Sequence, residues 1–219
     1  MTDPLYFYAE AHRCNKGRGN ERYIHTAADL IDHLRPVTEW IGLQRLADLS
    51  SIDRLGFPVA NAIRPFPNGY SVSHGKGETV DSAKASAVME SIERFHIAPQ
   101  AVSYYQARYD DLASKRPVVP LNNLPLSKES LFTSSTPELW HDCYDVVGQE
   151  EIPVPWELVI MPRGVHHNAN FCISSNGMSG GTTLLEALSQ GLLEVIERDA
   201  VSCHHLARKK VGAASLLRP

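Results

Sequence analysis

The chain carries one acidic motif twice. Residues 77–94 correspond position by position to residues 181–198, and both copies end in the pattern E-x-x-E-R. The repeated charged residues are Glu90, Glu93 and Arg94 in the first copy and Glu194, Glu197 and Arg198 in the second. Four carboxylates and two guanidinium groups around one cavity are suited to holding Mg²⁺ and a polyphosphate, because carboxylate oxygens bind the cation and arginines bind phosphate.

The spacing within each copy predicts that the motif lies on one face of a helix. Residues three and four positions apart are neighbours on a helix surface, and carboxylates at that spacing repel one another unless a cation neutralises them. Mg²⁺ usually takes one or two carboxylates, together with phosphate oxygens and water. The two predicted stripes are Ser86, Glu90, Glu93 and Arg94, and Gln190, Glu194, Glu197 and Arg198.

Two other interpretations fit parts of the motif. An exposed amphipathic helix would use each Glu–Arg pair as a surface ion pair worth about 0.2–0.5 kcal/mol. A di-metal carboxylate oxidase would use Glu93 and His96, which form half of a di-iron signature. The second copy has Ala200 in place of the histidine, so the symmetric iron site is incomplete. The recurrence of the acid pair after a glycine turn favours the magnesium site.

A glycine turn precedes each motif helix. Glycines let the backbone approach a ligand closely, and a helix N-terminus favours anions. Lys76, between Gly75 and Gly77, is therefore a candidate contact to phosphate or peptide, although the turn also serves simply to join a strand to a helix. The spacing does not match a Walker A loop. In the second turn, Asn176 either contacts the ligand or caps the turn.

The pattern around the motifs predicts an α+β fold with two similar halves, each reading strand, glycine turn, helix. Helical periodicity and strand alternation set the boundaries. Predicted helices span 27–34, capped by Thr26 and stopped by Pro36, then 80–96, and from 182 to 200 or beyond. Predicted strands span 57–63, ended by Pro65 and Pro67, then 70–73, 151–160 and 171–175, with a short strand near Trp140.

Composition excludes several classes of protein. A net charge of −4 gives no attraction to nucleic acid or to an anionic membrane. No apolar run approaches the roughly 20 residues that a membrane span needs, and the N-terminus lacks the order of a signal peptide. The four cysteines stand apart from one another, which is typical of reduced thiols. We therefore expect a cytoplasmic protein.

The paired motifs resemble those of the YcaO family. The family pattern S-x-x-x-E-x-x-E-R is met from Ser86 to Arg94, and its partner pattern Q-x-x-x-E-x-x-E-R from Gln190 to Arg198, followed by Asp199. The resemblance covers residues 16–200. It implies a YcaO-like domain whose two halves surround a nucleotide site, and ATP and Mg²⁺ as cofactors.

The resemblance also implies a reaction and roles for the residues. A nucleophile adds to a peptide backbone amide, the oxyanion attacks ATP, and elimination of phosphate gives an azoline, a thioamide or an amidine. The glutamates would be metal ligands rather than general bases. Phosphate, ribose or carboxylate contacts would come from Ser86, Arg94, Gln190 and Arg198, and a basic residue near the N-terminus would be Lys16 or Arg22.

Partners and extent follow from the same resemblance. The substrate would be a peptide or protein, and the segments 46–59 and 64–77 most resemble members that make thioamides with a TfuA partner. Homodimers are common in the family. The chain is shorter than a typical member, so we expect residues 1–219 to be the N-terminal and central portion of one domain, without its C-terminal part. A non-catalytic peptide-binding scaffold is the alternative from another class.

Overall fold

The computed structural model describes residues 26–52, 54–66, 69–161 and 170–216. These residues form two three-stranded antiparallel sheets with α-helices around them, so the predicted α+β fold is confirmed. The helices are α1 Ala27–His33, α2 Arg35–Trp40, α3 Val80–His96, α4 Tyr109–Ala113 and α5 Leu184–Leu216. The strands are β1 Arg45–Asp48, β2 Val59–Phe66, β3 Gly69–Lys76, β4 Tyr105–Arg108, β5 Pro137–Asp145 and β6 Glu150–Pro155; 3₁₀ turns span Pro99–Ala101, Leu121–Asn123 and Trp156–Leu158.

The first sheet has the order β1-β2-β3, and α3 packs against it through very small side chains. Ala60 and Ala62 of β2 face Ala83 and Ala87 of α3, and all four are completely buried. Because alanine side chains take little space, the helix lies close to the strands. This packing fixes the first motif helix relative to β3.

Two prolines act differently from the sequence expectation. Pro36 does not end the helical region but lies in the first turn of α2, where a missing backbone N–H is tolerated. Pro65 does not end β2, which continues to Phe66. Residues Asn61 and Ile63 pair with β1, whereas Pro65 lies beyond the end of that strand and needs no donor on that side.

The second sheet has the order β4-β5-β6, and two of its strands, β5 and β6, overlap strands predicted from the sequence. Trp140 is completely buried at its centre, and its indole N–H donates to the Ala107 carbonyl at 3.0 Å. The predicted strand near Trp140 is confirmed and is longer than expected. The predicted strand 151–160 ends at Pro155 and gives way to a 3₁₀ turn.

The second half does not contain its predicted strand. Within residues 170–183, only Phe171 makes a β-bridge, to Leu126, and the predicted strand 171–175 is wrong. Its apolar alternation finds one bridge partner and no neighbouring strand in the described residues. The helix that follows, α5, continues beyond residue 200, in agreement with the prediction, and exposes large apolar side chains, Leu192, Leu193 and Ile196. Among the described helices, none is long and apolar enough to cross a membrane.

Candidate active site

The first motif helix begins with a capping box. The Thr79 hydroxyl accepts the Ser82 backbone N–H at 3.1 Å, and the Ser82 hydroxyl accepts the Thr79 N–H at 2.9 Å. Together these two bonds satisfy donors that would otherwise be unpaired at the helix start. Gly77 precedes the cap, and a Cβ there would come within 2.9 Å of the Ala83 nitrogen. The turn is therefore compact, with α3 starting directly beside the end of β3.

A second glycine brings β3 into contact with α3. A Cβ on Gly75 would lie 2.8 Å from the Ala87 Cβ and closer still to backbone atoms of the helix. The close approach places the neighbouring His74 N–H within 2.9 Å of Glu90 Oε2, which accepts it. The other oxygen, Glu90 Oε1, accepts from Arg94 Nη1 at 2.9 Å. Glu90 is therefore held at both oxygens.

The second copy has a similar close contact between the motif helix and the segment before it, but the glycine lies on the helix. A Cβ on this glycine, Gly191, would lie 2.6 Å from the Gly177 carbonyl oxygen. Ser179, the counterpart of Gly75, donates its hydroxyl to the Ala187 carbonyl. Glu194 Oε2 accepts the Gly177 N–H at 3.0 Å, one position before the counterpart of His74. The two copies thus share a glutamate that accepts a backbone N–H of the preceding segment, but not the same register.

Arg198 ties the second glycine turn to α5. Its guanidinium contacts Glu194 Oε1 at 2.5 Å and donates to Asn176 Oδ1 at 2.6 Å and to the Ser175 hydroxyl at 3.3 Å. Asn176 is therefore engaged by an arginine of its own motif copy. The arginine in turn reaches both the acid helix and the turn that precedes it.

Glu93 connects the two copies to each other. Its Oε1 accepts the backbone N–H of Gly180, which lies in the second glycine turn. Burial raises the pKa of the Glu93 carboxyl to about 7; the Gly180 N–H opposes the rise, and the charges of Glu90 and Glu194 add to it. The charges of Glu90 and Glu194 therefore both act on Glu93, whereas Glu197 is exposed.

A cavity of about 720 Å³ lies between the two copies. Five of the predicted site residues line it: Lys76, Ser86, Glu90, Glu93 and Gln190. Ser179 and Gly180 of the second glycine turn complete the polar wall, and Ala27, Leu30, Ala85 and Met89 supply an apolar one. The fold therefore brings residues from both halves to a single cavity.

The other predicted residues lie elsewhere. Arg94 lines a much smaller cavity beside Arg64, while Asn176, Glu194 and Arg198 form the cluster at the second glycine turn. Lys16 and Arg22 lie outside the described residues. The assignment of individual ligand roles stays a prediction.

Sequence reasoning did not identify the apolar wall or the Gly180 contact. Ala27 and Leu30 come from α1, which the sequence predicts as a helix without any sign that it borders a site. Gly180 stands in a Gly-Gly pair before the motif helix, and that pair is the one local sign of a close backbone contact.

The carboxylates of the site fit a Mg²⁺ ion that takes most of its ligands from phosphate and water. In the described part of the chain, no group of three or more His, Cys, Asp and Glu side chains is arranged to hold a metal ion. Glu90 and Glu93 both line the cavity, however, and mutual repulsion of carboxylates contributes to the raised pKa of Glu93. A cation held by one or two of these carboxylates, with its remaining positions taken by phosphate and water, fits this arrangement. The incomplete iron motif finds no converging ligands among the described residues.

Comparison with known proteins identifies the family. The family described as YcaO cyclodehydratase, ATP- and Mg²⁺-binding, matches residues 74–214, which include both motif helices. The chain belongs to the YcaO family, as its motifs predict, and ATP and Mg²⁺ are the cofactors of that family.

Two relatives match most of the chain. An uncharacterized protein of Methanothermobacter thermautotrophicus is 34% identical over 178 residues, which are 77% of this chain and 44% of that protein. An uncharacterized protein in the tfuA 3′ region of Rhizobium leguminosarum bv. trifolii is 33% identical over 178 residues, covering 80% of this chain and 42% of that protein. The chain thus spans less than half the length of these relatives.

Solved structures share the fold. YcaO from Methanopyrus kandleri bound with AMPPCP and Mg²⁺ superposes with a TM-score of 0.60 and 24% identity, covering 85% of this chain and 46% of that one. A heterocyclase in complex with substrate and cofactor superposes with a TM-score of 0.65 and 21% identity, covering 83% and 29% respectively.

Proposed function

We propose that this chain forms the ATP- and Mg²⁺-binding part of an enzyme that activates peptide backbone amides. The observation that carries the proposal is the cavity of about 720 Å³ whose wall combines Lys76, Glu90 and Glu93 of one motif copy with Gln190 of the other. Family membership supports the reaction class, because the family is described as YcaO cyclodehydratase, ATP- and Mg²⁺-binding.

The proposed reaction follows the physical needs of amide activation. A nucleophile adds to the amide carbonyl carbon and loses its proton, and the oxyanion takes a phosphoryl group from ATP, which releases ADP. The amide oxygen, otherwise a poor leaving group, then departs as phosphate, and loss of a further proton gives the product. Mg²⁺ supplies neutralisation of phosphate charge during the transfer.

The residues of the chain have distinct parts in this proposal. Lys76, beside the start of α3, binds phosphate as a point charge, with the helix N-terminus favouring the same anion. Glu90 and Glu93 face the cation, and Ser86 and Gln190 offer hydrogen bonds from opposite walls of the cavity. The apolar wall made by Leu30 and Met89 excludes water from one side of the ligand.

The product and the partners belong to the proposal as well. The relative in the tfuA 3′ region supports a thioamide as the product and a TfuA protein as the partner. The sulfur would then come from outside the chain, since its sequence has no C-x-x-C pair. The proposed substrate is a peptide or protein, and the proposed assembly is a homodimer in the cytoplasm.

Calorimetric titration of ATP in the presence and absence of Mg²⁺ tests the site. Glu90→Gln and Glu194→Gln keep an oxygen that can accept the His74 or Gly177 N–H but remove the charge. We expect each to weaken Mg²⁺-dependent ATP binding by about 10- to 100-fold. The matched control is Glu151→Gln, an exposed residue of β6, which should bind as the unmodified protein does. Absence of ATP binding by the unmodified chain would contradict the proposal.

A further inference from the structure

Glu93 is the residue through which the first motif helix holds the second glycine turn. Its Oε1 accepts the Gly180 N–H across 87 positions of sequence. Both residues line the cavity, so the contact is part of its wall.

The contact has no equivalent at the matching positions of the other copy. Glu197, the counterpart of Glu93, is exposed. The counterpart of Gly180 is Lys76, which lies in β3 opposite Val59 of β2. Gly180 itself lies outside any strand. The first glycine turn is thus supported by a sheet, whereas the second is held by Glu194 and Arg198 of its own copy and, in addition, by a side chain of the opposite copy.

The space around Gly180 shows how tightly the turn lies against α3. A Cβ at this position would lie 2.7 Å from the Met89 Cε and 2.9 Å from Glu93 Oε1. Glycine therefore lets the Gly180 backbone reach the carboxylate, and a larger residue would push Glu93 away. The lack of space at Gly180 follows from the same close approach of the turn to α3 that allows the hydrogen bond.

We propose that Glu93 is a positioning residue that holds the second glycine turn against α3 and so completes the cavity between the motif copies. The role uses only Oε1, which is directed at a backbone N–H of the other half, and it leaves Oε2 for the cation of the proposed function. The inference deepens the proposed function and rests on it only for its effect on nucleotide binding. The contact itself requires no nucleotide.

Hydrogen–deuterium exchange of the nucleotide-free chain tests the contact directly. Glu93→Gln keeps an oxygen that can accept the Gly180 N–H, whereas Glu93→Ala removes it. We expect Glu93→Ala to speed exchange in peptides covering 176–183 by about tenfold, the effect of losing one hydrogen bond of typical strength. Glu93→Gln should restore most of the protection, and peptides covering 69–76 should exchange at the original rate in both variants.

Two further variants make the test specific. Glu197→Ala removes the exposed counterpart and should leave exchange in 176–183 unchanged. Gly180→Ala retains both hydrogen-bonding groups but displaces the carboxylate, so it should speed exchange as Glu93→Ala does. The double variant should add little, because both changes break one contact. If Glu93→Ala does not fold, the Gly180→Ala and Glu93→Gln results decide the question.

Three results would overturn the inference. They are unchanged exchange in Glu93→Ala, unchanged exchange in Gly180→Ala, or exchange in Glu93→Gln as fast as in Glu93→Ala, which would indicate a role for the charge alone. Titration with ATP and Mg²⁺ then measures the effect on nucleotide binding: Glu93→Ala should bind ATP about tenfold more weakly than Glu93→Gln. A chain that binds no ATP but shows the expected exchange pattern would contradict the proposed function and leave the positioning role intact.

Discussion

Glu90 accepts the backbone N–H of His74 at 2.9 Å, and this bond joins the first motif helix to the strand before it. Glu194 and Gly177 form a similar bond at 3.0 Å in the second copy, shifted by one position along the chain. In each copy the same glutamate also pairs with the arginine four positions later. The first glutamate of each motif is therefore held in place by its own half of the fold, and Glu90 also lines the cavity.

Arg198 should be needed for nucleotide binding because it connects Glu194 to Asn176. Arg198→Ala removes both contacts, and we expect ATP affinity in the presence of Mg²⁺ to fall by about tenfold, as for loss of a charge-assisted hydrogen bond. Arg198→Lys retains the charge but not the two-pronged geometry, so it should bind at an intermediate strength. Calorimetric titration measures both.

Arg35→Ala is the matched control for this experiment. Arg35 forms an i,i+3 ion pair with Asp32 at 2.5 Å on the exposed side of α2, away from the cavity. Removing it should leave ATP affinity unchanged. Equal affinities for Arg198→Ala and Arg35→Ala would show that the Glu194–Arg198 pair is an ordinary surface contact.

Gly75 and Gly191, the glycines at which each motif helix touches the segment before it, should not tolerate substitution. In Gly75→Ala the added Cβ meets backbone atoms of α3, and in Gly191→Ala it meets the Gly177 carbonyl oxygen at 2.6 Å. Backbone atoms cannot move aside as a flexible side chain can, so we expect each change to lower the free energy of unfolding by about 1–3 kcal/mol. Urea denaturation measures the change.

Gly148→Ala provides the comparison. A Cβ at Gly148 would lie 2.8 Å from Asp145 Oδ2, the end of a side chain that can rotate away. Its free energy of unfolding should change little. If Gly148→Ala lowered the free energy of unfolding as much as Gly75→Ala does, contact with backbone atoms could not be the cause of the loss at Gly75.

Stability should depend on pH through Glu157. Burial raises the pKa of this carboxyl from 4.5 to about 7, and the charge of Glu138 adds to the rise. The folded protein then keeps a proton that the unfolded chain releases. The free energy of unfolding should therefore fall as the pH increases from about 4.5 to about 7, and this contribution should level off above that range.

Glu157→Gln isolates this contribution, because the amide is neutral throughout. Urea denaturation at pH 5 and pH 7.5 should show that the unmodified protein loses more stability over this interval than Glu157→Gln. Glu150→Gln, an exposed neighbour on β6, should follow the unmodified protein. Parallel pH dependence in the unmodified protein and Glu157→Gln would rule out the raised pKa.

Local sequence signals predicted the first half of the site well. The helix predicted over 80–96 matches α3, because the Thr79 cap and the run of helix-forming residues act within a few positions of one another. Family membership could also be predicted from the paired motifs, because each E-x-x-E-R pattern lies within a few positions of the chain. The strands before the motif depended more on context. β3 pairs with β2, whereas the stretch 171–175 finds no such neighbour in the described residues and stays irregular.

The sequence alone determined which residues carry the charge, that they recur, and that each set shares a helix face. It could not determine which backbone N–H each carboxylate accepts, because those partners are set by how helices, strands and turns pack. Glu93 and Glu197 occupy matching positions, yet Glu93 reaches Gly180 in the opposite half while Glu197 is exposed. Only the tertiary structure distinguishes them, because a contact spanning 87 positions depends on how the two halves pack. Such a contact produces no regular spacing of residues in the sequence.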